Sequence, residues 1–208
     1  MTTIRTIALV LAVSAALQGC FTAVATGVVG TLAVADRRSV GAQADDEGIE
    51  WKAEARVSKL FPFAHVNVVS YNRRALITGE VADEAAILDV GKIVSRVENV
   101  VSSINELQIG QPSTYSSRAN DAYVTSKVKA RFVDASKFNV NRVKVFTEAG
   151  TVFLMGVVTQ GEANAAIEIA RTTGSVKKVV NVMEVVSDAE ARRIDAALGA
   201  SATSGMPK

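Results

Sequence analysis

Few side chains in this sequence have the makings of chemistry. There is one cysteine, Cys20, and one histidine, His65. Cys20 follows Gly19 at the end of an apolar stretch over residues 7–17, with Arg5 ahead of it. A positive start, a short apolar run and a small residue before the break form an export signal, with cleavage before the thiol. A single cysteine supplies neither a disulfide framework nor a pair of thiols for zinc. His65 falls between the first helix and the first strand. As a general base it needs an orienting carboxylate, and none is marked, so it reads as a loop or partly buried structural residue. Glu80, Asp83 and Glu84 cluster at a helix start, where capping and the helix dipole account for them. No glycine-rich phosphate loop follows a strand. Gly27 and Gly30 lie in apolar sequence as, at best, a helix-packing pattern. These residues predict no catalytic group, no metal and no cofactor.

The remaining chemistry is interfacial. In the helix that opens the second half of the chain, Val124, Val128 and Phe132 share the side expected to face a sheet. Tyr123, Ser126, Lys127, Ala130 and Asp134 share the outer side, with Arg131 flanking the core stripe and Lys129 on the far edge. An aromatic ring with a polar tip beside a snorkelling cation suits lipid headgroups: the ring enters the acyl boundary while the ammonium stays with phosphate. Each basic residue near an anionic surface contributes about 1 kcal/mol, which suffices only where an anchor already holds the protein close. The same pattern also describes a solvated helix face carrying one tyrosine. Charge separates the two halves: residues 45–109 carry seven Lys/Arg against eleven Asp/Glu, and residues 119–188 nine against seven. With an overall charge of +2, the whole chain does not read as a nucleic-acid binder.

The elements that must position these residues repeat. Residues 36–46 are polar and read as a tether, after which Ile49, Ala53, Val57 and Leu60 fall at helical spacing, with Asp45 or Asp46 as cap and Pro62 as stop. A hairpin follows through the Asn72-Arg73-Arg74 turn, with Gly79 where its second strand leaves the sheet. A helix capped by Asp83 and a closing strand over residues 97–109 complete an α-β-β-α-β unit. Residues 110–118 break both periodicities and read as a linker, and the order then recurs over residues 119–188. Ala53, Val57 and Phe61 align with Val124, Val128 and Phe132; Ile77-Thr78-Gly79 aligns with Leu154-Met155-Gly156; Val97 and Val100 align with Val176 and Val179. Internal duplication follows. The expected fold is α+β: two tandem α-β-β-α-β sandwiches, each sheet burying one face under two helices and leaving the other wet. Residues 189–208 form a tail, helical as far as Leu198 with Arg192, Arg193 and Asp195 on its polar side, and disordered from Gly199.

Several motifs carry a resemblance. Residues 1–20 resemble a lipoprotein signal with its lipobox, in which Cys20 becomes the acylated first residue of the mature chain. Gln18 departs from the small or β-branched residue usual there. Residues 20–44 are then a lipidated apolar leader and tether; a spanning helix is the alternative, which the glycines and β-branched residues disfavour. Phe21 in place of Asp implies sorting to the outer membrane. The paired units, each with a glycine closing its hairpin strand, look like BON domains, at residues 45–109 and 119–188. Arg38-Ser39-Val40-Gly41, Gly110-Gln111-Pro112, Asn120-Asp121 and Val152-Phe153-Leu154-Met155-Gly156 resemble dual-BON outer-membrane lipoproteins. That resemblance implies a non-enzymatic, periplasm-facing protein that binds anionic phospholipid (phosphatidylglycerol, cardiolipin) through the first helix of the second BON unit. It further implies a role in envelope integrity at division sites and a link to the β-barrel assembly machinery. The residues carried over are Tyr123, where the family has tryptophan, with Val124, Ser126, Lys127, Ala130, Arg131 and Asp134. The rival expectation is a periplasmic protein–protein adaptor, using this helix or an exposed hairpin edge, with lipid incidental.

Overall fold

The computed structural model describes residues 36–204. The expected export signal, the acylation site Cys20 and the apolar leader lie outside the described residues. Helix α1 (Val40–Leu60) is capped by Ser39, whose side chain accepts from the Ala42 amide, and it buries Asp46, Ile49, Ala53 and Val57. Strands β1 (His65–Tyr71) and β2 (Arg74–Val81) form an antiparallel hairpin. Its two-residue turn places Asn72 and Arg73 at φ of 52° and 62°, the left-handed pair that matches strand twist. Helix α2 (Glu84–Ser95) starts on the Asp83 cap, and strands β3 (Ser102–Asn105) and β4 (Gln108–Ile109) return parallel to β2. The second unit repeats this with α3 (Tyr115–Ala135), β5 (Val143–Glu148), β6 (Thr151–Thr159), α4 (Gln160–Arg171), β7 (Lys178–Asn181) and β8 (Glu184–Val186). Helix α5 (Asp188–Ser204) ends the described chain. Among the described residues no helix is long and apolar enough to cross a membrane.

Each expected closing strand is split in two. Asn105 and Asn181 turn their side-chain oxygens onto the amides of Leu107 and Met183, so the chain bulges and drops an apolar side chain into the helix-side core. Gly79 and Gly156 serve the opposite strand. A Cβ there would lie 2.0 Å from the His65 carbonyl oxygen and 2.3 Å from that of Arg142, so only glycine lets the paired strands approach.

Helix–sheet packing is as expected, whereas the far faces of the sheets are dry. Val69, Tyr71 and Leu76 of the first sheet bury against Phe153, Met155 and Val157 of the second, with Ile104, Val180, Val182 and Ile194 around them. The two units therefore stack sheet to sheet in four layers, with helices outside. The expectation of a wet second face fails because alternate residues on both sides of β2 and β6 are apolar, which buries a strand on two faces.

The segments read as tether and linker are also structured. Residues 40–44 are the first turns of α1. Arg37 is buried, donating to Glu162, Asp195 and the Val157 carbonyl, and Arg38 pairs with Asp36 and Asp46 while stacking on the Tyr71 ring. Asp195, expected on a solvated face, joins Arg37 and Arg142 at the junction, and α5 is helical through Ser204, beyond the expected end at Leu198. At the supposed linker, Ser113 bonds to Glu80 and α3 begins at Tyr115.

Two points of the duplication shift. Asp46 accepts from the amides of Asn72 and Arg73, and Asp121 likewise accepts from Ala149 and Gly150, so each carboxylate ties its helix to the hairpin turn. Asp46, Ile49, Ala53 and Val57 are thus equivalent to Asp121, Val124, Val128 and Phe132, one helical turn from the alignment by apolar spacing. The amide of Val97 closes on Val94 as that of Thr173 closes on Ala170, and those of Val100 and Val176 follow suit. Val176 therefore corresponds to Val100, not Val97.

Candidate membrane-contact face and a buried carboxylate cluster

Helix α3 starts at the Thr114 cap, lays Val124, Val128 and Phe132 into the core, and ends at Ser136 in the left-handed conformation. Its other side is open. Tyr115 is 89%, Tyr123 62% and Val133 59% exposed. Tyr115 and Val133 are eighteen residues apart, five full turns, so they point the same way. Tyr123 lies within a quarter-turn of that line, and exposed Ala119, Ser126 and Ala130 lie between. The result is a strip about 27 Å long of rings, methyls and one small hydroxyl. Tyr115 escaped the sequence reading because residues 110–118 looked like linker. Val133 sits seven residues, about two turns, beyond Ser126, a spacing that marks the same outer side.

The other expected contact residues divide. Val124 is fully buried and belongs to the core, so it is no surface contact. Ser126 returns its hydroxyl to the Ala122 carbonyl, while Ala130 and Asp134 are exposed. Arg131 donates to the Ile169 carbonyl and to the hydroxyls of Thr172 and Thr173, where it caps the C-terminal end of α4. Lys127 donates to the Gly174 carbonyl at 2.8 Å and sits 5.4 Å from the Tyr123 ring centre. Arg131 ties α3 to the C-terminal end of α4, and Lys127 ties it to the turn that follows. Lys129, placed at the edge by the wheel, is exposed and makes no hydrogen bond or ion pair among the described residues. The other cations of α3, Arg118, Lys127 and Arg131, all have such partners.

A second concentration of chemistry lies between the units. The two-residue hairpin turn pairs His65 with Glu80, and His65 Nδ1 meets Glu80 Oε2 at 2.9 Å. The orienting carboxylate is thus the cross-strand neighbour, in β2 and not at the α2 start. Asn67 Nδ2 contacts His65 Nε2 at 3.1 Å and donates to Glu148 Oε2 at 2.7 Å. An amide nitrogen has only protons to offer, so Nε2 accepts and Nδ1 carries the ring proton toward Glu80. Ser113 Oγ is 3.0 Å from the same Nδ1. A hydrolase relay needs serine and carboxylate on opposite ring nitrogens. Here both meet Nδ1, so the trio is not wired as a triad. Burial pushes the Glu148 carboxyl up, opposed by the Asn67 hydrogen bond and by His65, and the nearby Glu80 and Asp121 push it further up. Across the junction the balance reverses: hydrogen bonds from the Thr159 amide, Arg37 and Arg142 outweigh burial and hold Glu162 low.

Two α-β-β-α-β units, each with a glycine at the hairpin crossing and a helix-borne aspartate on the hairpin turn, define the class. The chain belongs to the BON domain family, which matches residues 45–111 and 120–187. More particularly it is a DolP-like dual-BON protein. It is 35% identical over 185 residues to the outer membrane lipoprotein DolP of Haemophilus influenzae, covering 87% of this chain and 96% of that one. It is 33% identical over 154 residues to the 21 kDa hemolysin of Actinobacillus pleuropneumoniae, covering 73% and 79%. To osmotically-inducible protein Y of Escherichia coli it is 27% identical over 147 residues, covering 68% and 73%. The outer-membrane lipoproteins of the BON family are thus the group in which this chain falls.

Proposed function

We propose that this protein is anchored by acyl chains on Cys20 to the periplasmic face of the outer membrane and lays α3 on anionic phospholipid. The observation that supports it most is the exposed Tyr115–Tyr123–Val133 strip with unpaired Lys129 at its edge. Rings and a branched aliphatic enter the acyl boundary, and Lys129 stays with phosphate. Lys127 and Arg131 lend positive potential while remaining bonded to the end of α4 and the turn that follows. Tyr123, Ser126, Ala130 and Asp134 stay in the proposed contact; Val124 leaves it. The protein acts without catalysis, supporting envelope integrity at division sites beside the β-barrel assembly machinery.

The test is liposome co-sedimentation of a fragment of residues 36–204, which contains all three cores. Pelleting with phosphatidylglycerol or cardiolipin but not with phosphatidylcholine is expected, as is its loss in Tyr123→Glu plus Lys129→Glu. Unchanged pelleting of that variant removes the site. The adaptor reading loses the β1 edge as a surface, since the outward amides of β1 at Val68 and Ser70 are already taken by Glu54 and Glu50 of α1. Crosslinking from Tyr123 that traps one protein and no lipid would restore it.

A further inference from the structure

We propose that the junction between the two BON units binds one hard divalent cation, of the calcium or magnesium type, through Glu80, Thr78 and Glu148. This inference is independent of the membrane reading.

The apolar layer between the sheets gives way to polar groups at one end. His65 and Asn67 of β1 lie on the same strand face as Val69 and Tyr71, and Thr78 and Glu80 of β2 on the same face as Leu76. Glu148 meets them from the last position of β5. Donor atoms of His65, Glu80 and Glu148 all lie within 4.8 Å of one another. One oxygen of each carboxylate is fixed: Glu80 Oε2 accepts from His65 and the Ser113 amide, and Glu148 Oε2 from Asn67. The second oxygen of each makes no hydrogen bond among the described residues. Such outer partners orient a ligand while leaving its other lone pairs for a metal.

An independent observation points into the same place. Thr78 is 0% exposed, and its hydroxyl has no hydrogen-bond partner among the described residues. It lines a cavity of about 60 Å³ together with Glu80, Glu106, Gln108, Glu148 and Lys178. About 10–15 Å³ of such space suffices for one water, so an ion with its remaining waters fits here. Three carboxylates face one ammonium there, and burial keeps the Glu148 anion under-compensated. A buried orphan hydroxyl and a surplus of negative charge are both answered by a cation.

The donors are oxygens. His65 is excluded as a ligand because Asn67 fills its Nε2 lone pair and its Nδ1 proton goes to Glu80. An all-oxygen set selects a hard ion over zinc or copper. Bound there, the ion joins β2 of the first unit to β5 of the second. Through Ser113 it also steadies the segment from which α3 starts.

The experiment is calorimetric titration of the full chain, in detergent and stripped with chelator, with CaCl2, MgCl2 and ZnCl2 in turn. One saturable site per chain for CaCl2 or MgCl2, with a matching rise in Tm, is expected. Glu148→Gln should abolish it and Thr78→Val weaken it, while Asn67→Ala should cost about 10–100-fold in affinity through loss of orientation. The Gln variant removes only a charge, so its fold is retained and loss of binding is interpretable. No saturable binding of either hard ion, equal binding by Glu148→Gln, or zinc binding that neither hard ion displaces would each overturn the proposal.

Discussion

The buried Glu148 makes a quantitative demand on stability. Its carboxyl is raised by burial, so the folded chain holds that proton more tightly than the unfolded chain. Between the unfolded and folded values the native state binds more protons, and stability falls as pH rises through that window. It is fully present below the unfolded value. Glu148→Gln keeps the shape and an acceptor for the Asn67 amide but has no charge to lose. Desolvation of the buried anion, only partly offset by the Asn67 hydrogen bond and by His65, costs about 1–3 kcal/mol. In chelator at pH 8 the variant is therefore expected to be more stable by that amount. For a chain of this size each kcal/mol moves Tm by about 2–4 °C. Circular dichroism melts of both proteins from pH 4 to pH 8 provide the assay, with curves that converge in acid and separate toward pH 8. A variant that is less stable at pH 8, or equally shifted at every pH, would refute the reasoning.

Other consequences are simpler to state. Arg37→Met leaves Glu162 and Asp195 with Arg142 alone and should cost about 3 kcal/mol, since breaking a buried pair strands its partners; chemical denaturation checks it. Gly79→Ala drives a Cβ into the His65 carbonyl at a φ of 115°, and should lower Tm far more than Gly91→Ala, which meets only the Asn105 amide nitrogen at 3.0 Å. Asp121→Asn loses the charge behind two hydrogen bonds to the hairpin turn, and destabilisation of about 1.5–3 kcal/mol is expected in the same denaturation assay. Tyr123→Ser should weaken vesicle binding by roughly ten-fold, about 1.4 kcal/mol, whereas Trp51→Ser on α1 should leave it unchanged.

What the sequence discloses is what local physics decides. Ile49, Ala53 and Val57 announce a helix by spacing alone, and Asp83 announces its start. The equivalence of Asp46 and Asp121 was not legible from apolar spacing, because it rests on hydrogen bonds from a helix to a turn some 25 residues away. Repeats aligned on methyl groups slip by a turn at little cost; aligned on a carboxylate they do not. The dry sheet-to-sheet contact did leave a trace: Val152 to Val158 is buried without interruption, the pattern of a strand covered on both faces. His65 and Glu80 were within reach as well, since a two-residue turn at Asn72-Arg73 dictates their pairing. Glu148 was not, because its place beside them depends on how the two units dock.

Docking also bears on the proposed membrane contact. Stacking the sheets back to back puts α1 and α3 on opposite outer layers, so a flat surface meets one of them at a time. Along α1 stand Asp45, Asp46, Glu47, Glu50 and Glu54 against Lys52, Arg56 and Lys59, and exposed Glu47 and Glu54 would face any anionic lipid. Along α3 the only acids are Asp121, bound to the hairpin turn, and Asp134, against Arg118, Lys127, Lys129 and Arg131. Exposed rings occur on both helices, as Trp51 on one and Tyr115 and Tyr123 on the other. Aromatic exposure therefore does not choose between them; charge does, at about 1 kcal/mol for each cation near the surface. The two units present similar outer helices, and the acids on the first favour the second for the proposed contact with phosphate.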